Sequence, residues 1–315
     1  MTPSSQATSP QTSATLESVT QVAHSWLHLL QLLYADTWQP SLRRHRSPYV
    51  FHGSHDATFP LMTSLQRLGG DLRASERHLL RNFRKYAQYG SSQLAARGGD
   101  SIWHWLALGQ HHGLPTRLLD FTYSPLVALH FATRDLRHFE HDGVVWMVNH
   151  AQVGAAMPAR MRSGLEQEGA QVFTVDLLQE VMDGRSGTTR FDLSALHALE
   201  TPGEPPFMAF IEPPSIDERI VQQYALFGFL SDPQGEIGPW LLHRPGICSR
   251  VIIPAALKWE VRDALDQSNV NERTLFPGLS GLARWPGLYY TASPPPDGTE
   301  VPEDRGPGSI HRGRS

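Results

Sequence analysis

Several polar side chains stand directly before an apolar helical pattern in "GQHHGLPTRLLDFTYSPLVALHFATRD", residues 109–135. Arg117 and Asp120 are three residues apart, and a carboxylate holds a guanidinium in place by accepting two parallel hydrogen bonds. An arginine held in this way would bind a phosphate, and the free backbone N–H groups near Ser124 would offer a second anion-binding element. An internal Arg–Asp bridge that only pins the loop would use the same residues, so both interpretations stay open.

Further polar side chains could complete a pocket around this motif. Gln110 and His112 would form polar walls beside it. Arg219 and Gln222 stand in "RIVQQYALFGFL", residues 219–230, which has the β-branched and aromatic character of a strand. A buried glutamine needs hydrogen-bond partners, and successive strand residues face opposite sides. At most one of Gln222 and Gln223 can therefore reach a common site.

Metal and nucleophile chemistry have little support in the sequence. Neighbouring histidines on a helix point about 100° apart, so His111 and His112 are poorly placed to share one ion. One of them would instead cap a helix C-terminus, where a cation is favoured. We expect no bound metal. The chain has one cysteine, Cys248, and lacks a Walker A loop, a GxGxxG motif and a nucleophile elbow.

Composition is typical of a soluble globular protein. The 315 residues are 40% hydrophobic and 18% charged, with a formal net charge of −4. This charge gives no overall basic footprint, so nucleic-acid binding would need a local patch and stays undecided. The sequence has neither a long apolar run nor a signal peptide, and we therefore expect no membrane partner and a cytoplasmic location. It does not predict the oligomeric state.

The sequence divides into four parts. Residues 1–15 and 293–315 are predicted to be disordered because they have little to bury. Residues 16–46 are predicted to form an N-terminal helix, over about 16–36, and a linker. Residues 47–292 are predicted to form the main domain.

Helices precede strands in this main domain, which favours an α+β fold with N-terminal helices packed on a mixed or antiparallel sheet. Helices are predicted to begin near Ser75, at Asp100 or Ser101 and at Ser124-Pro125, and another over 254–269. The predicted strands cover 47–53, 142–149, 206–214, 219–230 and 249–254.

With these residues assembled, the chain resembles the FRG-domain family. "GQHHGLPTRLLDFTYSPLVALHFA" is similar to its central signature, and "VFHGSHDATFPLMTSLQR", "ERHLLRNF" and "RIVQQYALFGF" are similar to flanking segments. The resemblance covers about residues 47–285. The family is named after Phe-Arg-Gly, whereas this chain has Phe51-His52-Gly53. Histidine lacks the planar five-donor fork and the permanent charge of arginine.

"VFHGS" is also similar to the first strand of ADP-ribosyltransferases, in which an Arg or His grips NAD⁺. This fold-level analogy implies NAD as a candidate ligand, with His52 on ribose or phosphate, Arg117 on phosphate and Asp120 orienting Arg117. We therefore expect His52 and Arg117 to face one solvent-reachable cleft. Gln222 or Gln223 stands where a catalytic glutamate would be expected, which argues against efficient transfer.

The leading hypothesis is binding of a nucleotide-like or phosphate-bearing ligand, with ADP-ribosyltransferase activity left open. One alternative is a non-catalytic interaction or regulatory module in which the Arg–Asp motif is structural. Another is a defence or toxin effector that acts on nucleic acid. The sequence does not decide whether the protein is an enzyme.

Overall fold

The computed structural model describes residues 16–90, 101–183, 191–200, 203–214 and 217–292. The two segments predicted to be disordered, 1–15 and 293–315, lie outside these ranges. None of the helices within the described ranges combines the length and the apolar character that a membrane crossing requires.

A mixed eight-stranded sheet lies at the centre of the fold, with the strand order β1-β10-β6-β4-β5-β9-β8-β7. The outermost strands at both edges, β1 and β7, run parallel to their neighbours, and the other neighbours are antiparallel. Two short strands, β2 and β3, form a separate hairpin. The strands are β1 Thr20–Val22, β2 Trp38–Gln39, β3 Arg44–His45, β4 Tyr49–Ser54, β5 Leu119–Thr122, β6 Gly143–Asn149, β7 Phe173–Thr174, β8 Met208–Glu212, β9 Ala225–Leu230 and β10 Cys248–Ile253.

Helices connect these strands and confirm the predicted α+β class. They are α1 Trp26–Leu33, α2 Leu72–Gly90, α3 Ile102–His111, α4 Pro125–Thr133, α5 His150–Ala155, α6 Ala159–Glu168, α7 Val175–Asp183, α8 Ser194–His197, α9 Glu218–Gln222, α10 Ile237–Leu242, α11 Lys258–Gln267, α12 Glu272–Leu275 and α13 Leu279–Tyr289.

The sheet is covered on both faces because its central strands are apolar on both sides. Phe51 and Met147 pack with residues of α1, α4 and α11 in one hydrophobic cluster. Val50 and Trp146 belong to a larger cluster that includes α3. Neighbouring strand residues thus enter different cores, as the alternation of side chains along a strand requires.

Local signals set the start of two helices as predicted. Ser124 caps α4 by accepting a hydrogen bond from the backbone N–H of Val127, with Pro125 in the first turn. Ser101 caps α3 in the same way. The helix predicted to begin near Ser75 begins at Leu72, because Asp71 accepts a hydrogen bond of 3.0 Å from the backbone N–H of Ala74 and so caps an earlier turn.

The prediction of one continuous helix over 16–36 is wrong. Thr20–Val22 forms strand β1 on the edge of β10, and the helix starts only at Trp26, capped by Ser25. The open edge of β10 provides the reason: the backbone N–H of Arg250 donates to the carbonyl of Val19 at 2.8 Å. The N-terminal segment is therefore part of the central sheet.

The prediction of one strand over 219–230 is also wrong in its first half. Residues Glu218–Gln222 form helix α9, because Asp217 caps the helix through the backbone N–H of Arg219. The chain then turns through Tyr224, which has a φ of 49°, before β9 begins at Ala225. This turn places α9 at the end of β9, beside β5.

A close approach between β4 and α4 depends on Gly53. A Cβ atom at this position would lie 1.9 Å from the carbonyl oxygen of Ala128 in α4. Such a contact is far inside the van der Waals limit, so only glycine allows α4 to lie this close. The contact fixes the position of β4, and therefore of His52, against α4.

Candidate functional site

A cavity of about 140 Å³ lies between β4, β5, β9, α4 and the ends of α3 and α9. This volume suits one ring-sized group, since an apolar cavity of about 150 Å³ binds benzene. Its lining combines an aromatic and aliphatic floor with a polar rim. The lining residues are Phe51, His52, Gly53, Gln110, His111, Asp120, Phe121, Thr122, Ala128, Phe131, Arg219, Ile220, Gln223, Ala225 and Phe227.

A chain of hydrogen bonds fixes one side of the rim. The Nδ1 atom of His52 lies 2.7 Å from the carbonyl oxygen of Asp120. Because a carbonyl only accepts, Nδ1 carries the proton and Nε2 is left as an acceptor. Gln110 Nε2 donates to Asp120 Oδ1 at 3.1 Å, and Gln110 Oε1 accepts from the Thr116 hydroxyl at 2.6 Å.

Burial favours the neutral form of His52. Loss of solvent lowers the pKa of this imidazole, although the hydrogen bond to the carbonyl of Asp120 opposes the shift. His52 therefore presents a neutral ring to the cavity, able to accept a hydrogen bond but without the charge of the arginine that names the family.

His111 joins the rim through an ion-pair geometry that the sequence did not reveal. Its Nε2 atom lies 2.9 Å from Asp217 Oδ2, where Asp217 caps α9. Burial raises the pKa of Asp217, but hydrogen bonds from the backbone of Arg219 and from His111 lower it overall. The contact thus ties the end of α3 to the start of α9 across the cavity.

His112 was predicted to form a polar wall of the pocket, but the structure places its side chain outside the cavity lining. His112 is exposed at the C-terminal cap of α3, and its pKa is lowered by desolvation and by the neighbouring His111. The signal that would have identified His111 is the cap at Asp217, which stays hidden as long as residues 219–230 are interpreted as a strand.

The predicted pairing of Arg117 with Asp120 is not formed. Arg117 is buried, and its Nε and Nη2 atoms donate to the carboxylate of Glu76 in α2, Nε at 2.9 and 3.0 Å. Its Nη1 atom donates to the carbonyl oxygen of Ser231 at 2.8 Å. Arg117 lies at a bend before β5 and turns into the core, whereas Asp120 lies within β5 and lines the cavity.

The expectation that His52 and Arg117 face one cleft is corrected accordingly. His52 lines the cavity, but the Arg117 guanidinium is sealed in the interior and is absent from the lining. The buried carboxylate of Glu76 is the physical reason, because it satisfies a charge that would otherwise be too costly to bury.

Two further predicted residues lie outside the lining. Ser124 serves as the cap of α4, and Gln222 is exposed on α9. The neighbouring Gln223 is the glutamine that reaches the cavity, and its Nε2 atom donates to the carbonyl oxygen of Leu275 at 2.9 Å. Helical geometry decides between these two glutamines, which the strand interpretation left undecided.

Arg219 brings positive charge to the open side of the cavity. Its guanidinium carbon lies 5.0 Å from the ring centroid of Phe276, and that of Arg134 lies 5.5 Å from the same centroid. Arg284 is close enough to act on Arg134: the pKa of Arg134 is lowered by desolvation and by repulsion from Arg219 and Arg284, against an opposing effect of Glu272.

Within the described ranges, Arg134, Arg219 and Arg284 make no ion pair with a carboxylate. The nearby carboxylate of Glu272 is buried and is instead 3.2 Å from Arg262 and 3.3 Å from His130. We refer to Arg134, Arg219 and Arg284 around Phe276 as the arginine cluster.

Comparison with curated proteins and with solved structures finds no match for this chain. A protein-family model described as FRG domain matches residues 47–141. The match includes His52, Gln110 and Asp120, while Arg219 and Gln223 follow it in the sequence. The family predicted from the central motif is thereby confirmed, and over residues 47–141 the chain carries an FRG domain.

Proposed function

We propose that this FRG-domain protein binds a nucleotide-like, phosphate-bearing ligand at the cavity beside the arginine cluster. One ring of the ligand enters the cavity, and the phosphates remain outside it on Arg219 and Arg134. The observation that carries the proposal is the proximity of unpaired guanidinium groups to an aromatic cavity with a hydrogen-bonding rim.

The size and lining of the cavity support entry of a ring alone. Sites that enclose whole drug-sized ligands have volumes of roughly 300–1,000 Å³, whereas this cavity measures about 140 Å³. Phe121, Phe131 and Phe227 provide apolar surface for a flat ring. The Asp120 carboxylate and the neutral His52 can accept hydrogen bonds from ribose hydroxyls or from a base.

The arginine cluster supports a phosphate outside the cavity. A guanidinium is a planar fork of donors that matches the oxygens of a phosphate. Arg219 lines the cavity and approaches the Phe276 ring, so a phosphate bound by Arg219 and Arg134 would lie next to the enclosed ring. An anion would also relieve the mutual repulsion of the cluster.

NAD⁺ is the specific ligand we propose, since it carries a ring, ribose and a pyrophosphate in this order. Transfer of ADP-ribose would need an anionic group beside the ribose whose glycosidic bond breaks. Asp120 provides the carboxylate in the cavity lining, whereas Gln222 is exposed elsewhere. We therefore assign any such chemistry to Asp120.

The buried Arg117–Glu76 pair favours a second candidate, a module that binds its ligand without turnover. In such a module, the central motif provides both a structural arginine and the rim of the binding site. The two candidates differ in one measurable product, nicotinamide released from NAD⁺.

The test is calorimetric titration of NAD⁺, ADP-ribose and adenosine, combined with an assay for free nicotinamide. We expect NAD⁺ and ADP-ribose to bind more tightly than adenosine. Arg219→Gln should weaken NAD⁺ binding at least tenfold, which corresponds to about 1.4 kcal/mol. Arg273→Gln is the matched control, because Arg273 is exposed, is absent from the cavity lining and faces the ring of Trp285 instead of Phe276.

Equal heats for the wild type and Arg219→Gln would refute the assigned phosphate contact. Binding with nicotinamide release that Asp120→Asn abolishes would support transferase chemistry. Binding without release would support the non-catalytic module.

A further inference from the structure

Five side chains with metal-binding atoms meet at the end of β4, away from the cavity. His55 and Asp56 follow this strand, and Asp135, His138 and His141 come from the segment between α4 and β6. They form two overlapping groups, one of His55, Asp135 and His138 and one of Asp56, His138 and His141. The ligand atoms of each group lie within 4.8 Å of one another.

The group of Asp56, His138 and His141 has the geometry of an open metal site. Asp56 Oδ2 lies 3.9 Å from His138 Nδ1 and 3.7 Å from His141 Nδ1. These distances are too long for hydrogen bonds. Ligand atoms around a tetrahedral zinc, with bonds of about 2.0–2.1 Å, lie roughly 3.3 Å apart, so the two distances from Asp56 to the imidazoles would shorten by about half an ångström around an ion.

The hydrogen bonds around this group leave the ligand atoms without other partners. Asp56 is buried, and its Oδ1 atom accepts from the backbone N–H and the hydroxyl of Thr58 at 2.8 and 2.6 Å. This contact orients Oδ2 toward the two imidazoles, as partners beyond the ligands do in metal sites. His138 Nδ1 is buried and has no hydrogen-bond partner among the described residues.

The alternative group is less suited to a metal because its carboxylate is already engaged. Arg137 donates to Asp135 Oδ1 at 2.9 Å and to Asp135 Oδ2 at 2.7 Å. An ion at Asp135 would therefore compete with the positive charge of this guanidinium. In the described part of the chain, no guanidinium contacts Asp56 Oδ2.

The neighbouring ammonium of Lys258 does not occupy the position between the ligands. Its Nζ atom donates to the carbonyl oxygens of His55 and His138 at 2.8 and 2.7 Å. Asp56, Asp135 and Asp142 all act on Lys258 as negative charges. Three carboxylates in this region therefore offset the positive charges of Lys258 and a bound cation.

We propose that Asp56, His138 and His141 bind one zinc-class divalent ion, with water completing the coordination on the exposed side of His141. Imidazole nitrogen and carboxylate oxygen are the ligands that zinc accepts. The ion would join the segment after α4 to the end of β4, the strand that carries His52. Its role would be structural, and it is independent of the ligand proposed for the cavity.

In the sequence, only the adjacent pair His111 and His112 suggested a metal site. The proposed ligands come from two segments that are distant in sequence, and only the packing of β4 against α4 and β6 brings them together. The spacing of His138 and His141 is the one local sign of the site.

The experiment uses the untagged full chain, treated with a chelator and then titrated with Co²⁺. We expect one equivalent to bind with visible absorption bands of tetrahedral Co²⁺, and Zn²⁺ to displace it and raise the melting temperature. Asp56→Asn and His141→Gln should each weaken Co²⁺ binding at least tenfold. His243→Gln, an exposed histidine on another surface, should bind as the wild type does.

Circular dichroism of each metal-free variant shows that it is folded, and the exposed position of His141 makes His141→Gln the safest variant in this respect. Absence of one-to-one binding by the wild type would overturn the proposal. So would a loss of Co²⁺ binding in His55→Ala combined with retention in His141→Gln, because this pattern assigns the ion to the other group.

Discussion

Arg117 and Arg219 show how the same side chain serves two different purposes in one molecule. Arg117 lies in the interior, 2% exposed, against the carboxylate of Glu76, which is also 2% exposed. Arg219 lies at the cavity and faces the ring of Phe276 without a carboxylate partner among the described residues. Whether an arginine supports the fold or is free to bind a ligand therefore depends on the presence of a buried carboxylate, and not on the motif around the arginine.

The hydrogen bonds explain why Arg117 has little left to offer a ligand. Its donors point to Glu76 and to the carbonyl of Ser231, both in the core. A phosphate would have to replace Glu76 and leave an uncompensated buried carboxylate. Arg219 has no buried carboxylate to give up, so an anion can bind there without breaking a buried ion pair.

The largest expected effect comes from breaking the interior pair. Glu76→Gln leaves the Arg117 guanidinium buried without its counter-charge, and we expect a loss of about 3–5 kcal/mol in the free energy of unfolding. Urea denaturation followed by circular dichroism measures it. Unfolding at the wild-type urea concentration would contradict the structural role of Arg117.

The same comparison shows how much of the fold and site the sequence can predict. The start of α4 was predictable because Ser124 and Pro125 act on their own turn. The partner of Arg117 was not, because Glu76 stands 41 residues away, in helix α2. A local pattern reports contacts within a few residues, whereas the choice between Asp120 and Glu76 depends on how β5 and α2 pack.

The lining of the cavity shows the same division. His52, Gln110 and Asp120 were predicted by their types in the motif, and the structure places all three around the cavity. The positions of His111 and Gln223 in the cavity lining could not be predicted, because both depend on α9. This five-residue helix begins at its Asp217 cap. Apolar β-type residues at 219–230 conceal this short helix.

The second prediction contrasts a buried histidine with the arginines around it. His130 is buried between Arg262, 3.0 Å from its Nδ1, and Glu272, 3.3 Å from its Nε2. Burial and the charges of Arg262 and Arg134 hold its pKa well below the ordinary 6.5. In the unfolded chain the imidazole recovers its ordinary pKa, so below pH 6.5 the unfolded state binds the extra proton.

Stability from His130 is therefore complete above pH 6.5 and is lost as the pH falls toward the folded-state value. The loss is at most about 1.4 kcal/mol per pH unit for one group. His130→Asn, which cannot titrate, should have a shallower decline between pH 7 and 5 in denaturant unfolding. A decline as steep as that of the wild type would assign the acid sensitivity to other histidines.

The third prediction tests whether Arg219, at the cavity, contributes to the stability of the fold. Arg219→Gln should change the free energy of unfolding by at most about 1 kcal/mol, because it removes one contact with the Phe276 ring and also the repulsion between Arg219 and Arg134. Binding of NAD⁺ should nevertheless weaken, as proposed above. A loss of stability similar to that of Glu76→Gln would show that Arg219 is a second structural arginine.

The smallest effect on stability is expected for a substitution of Arg137, because this arginine forms an ion pair without being buried. Arg137 makes a two-bond contact with Asp135, as Arg117 does with Glu76, but its side chain is 85% exposed. Solvent and salt screen such a pair, so Arg137→Gln should lower the melting temperature only slightly, and far less than Glu76→Gln does. The hydrogen bonds and charge of Arg137 lower the pKa of Asp135, and the variant should therefore raise that pKa toward its ordinary value in an NMR titration. Because a pKa lowered in the folded state is itself a contribution to stability, the rise of the Asp135 pKa and the fall of the melting temperature should both be small. A fall as large as that of Glu76→Gln would contradict this expectation, whereas a small one would show that the stabilisation at Arg117 arises from burial against Glu76.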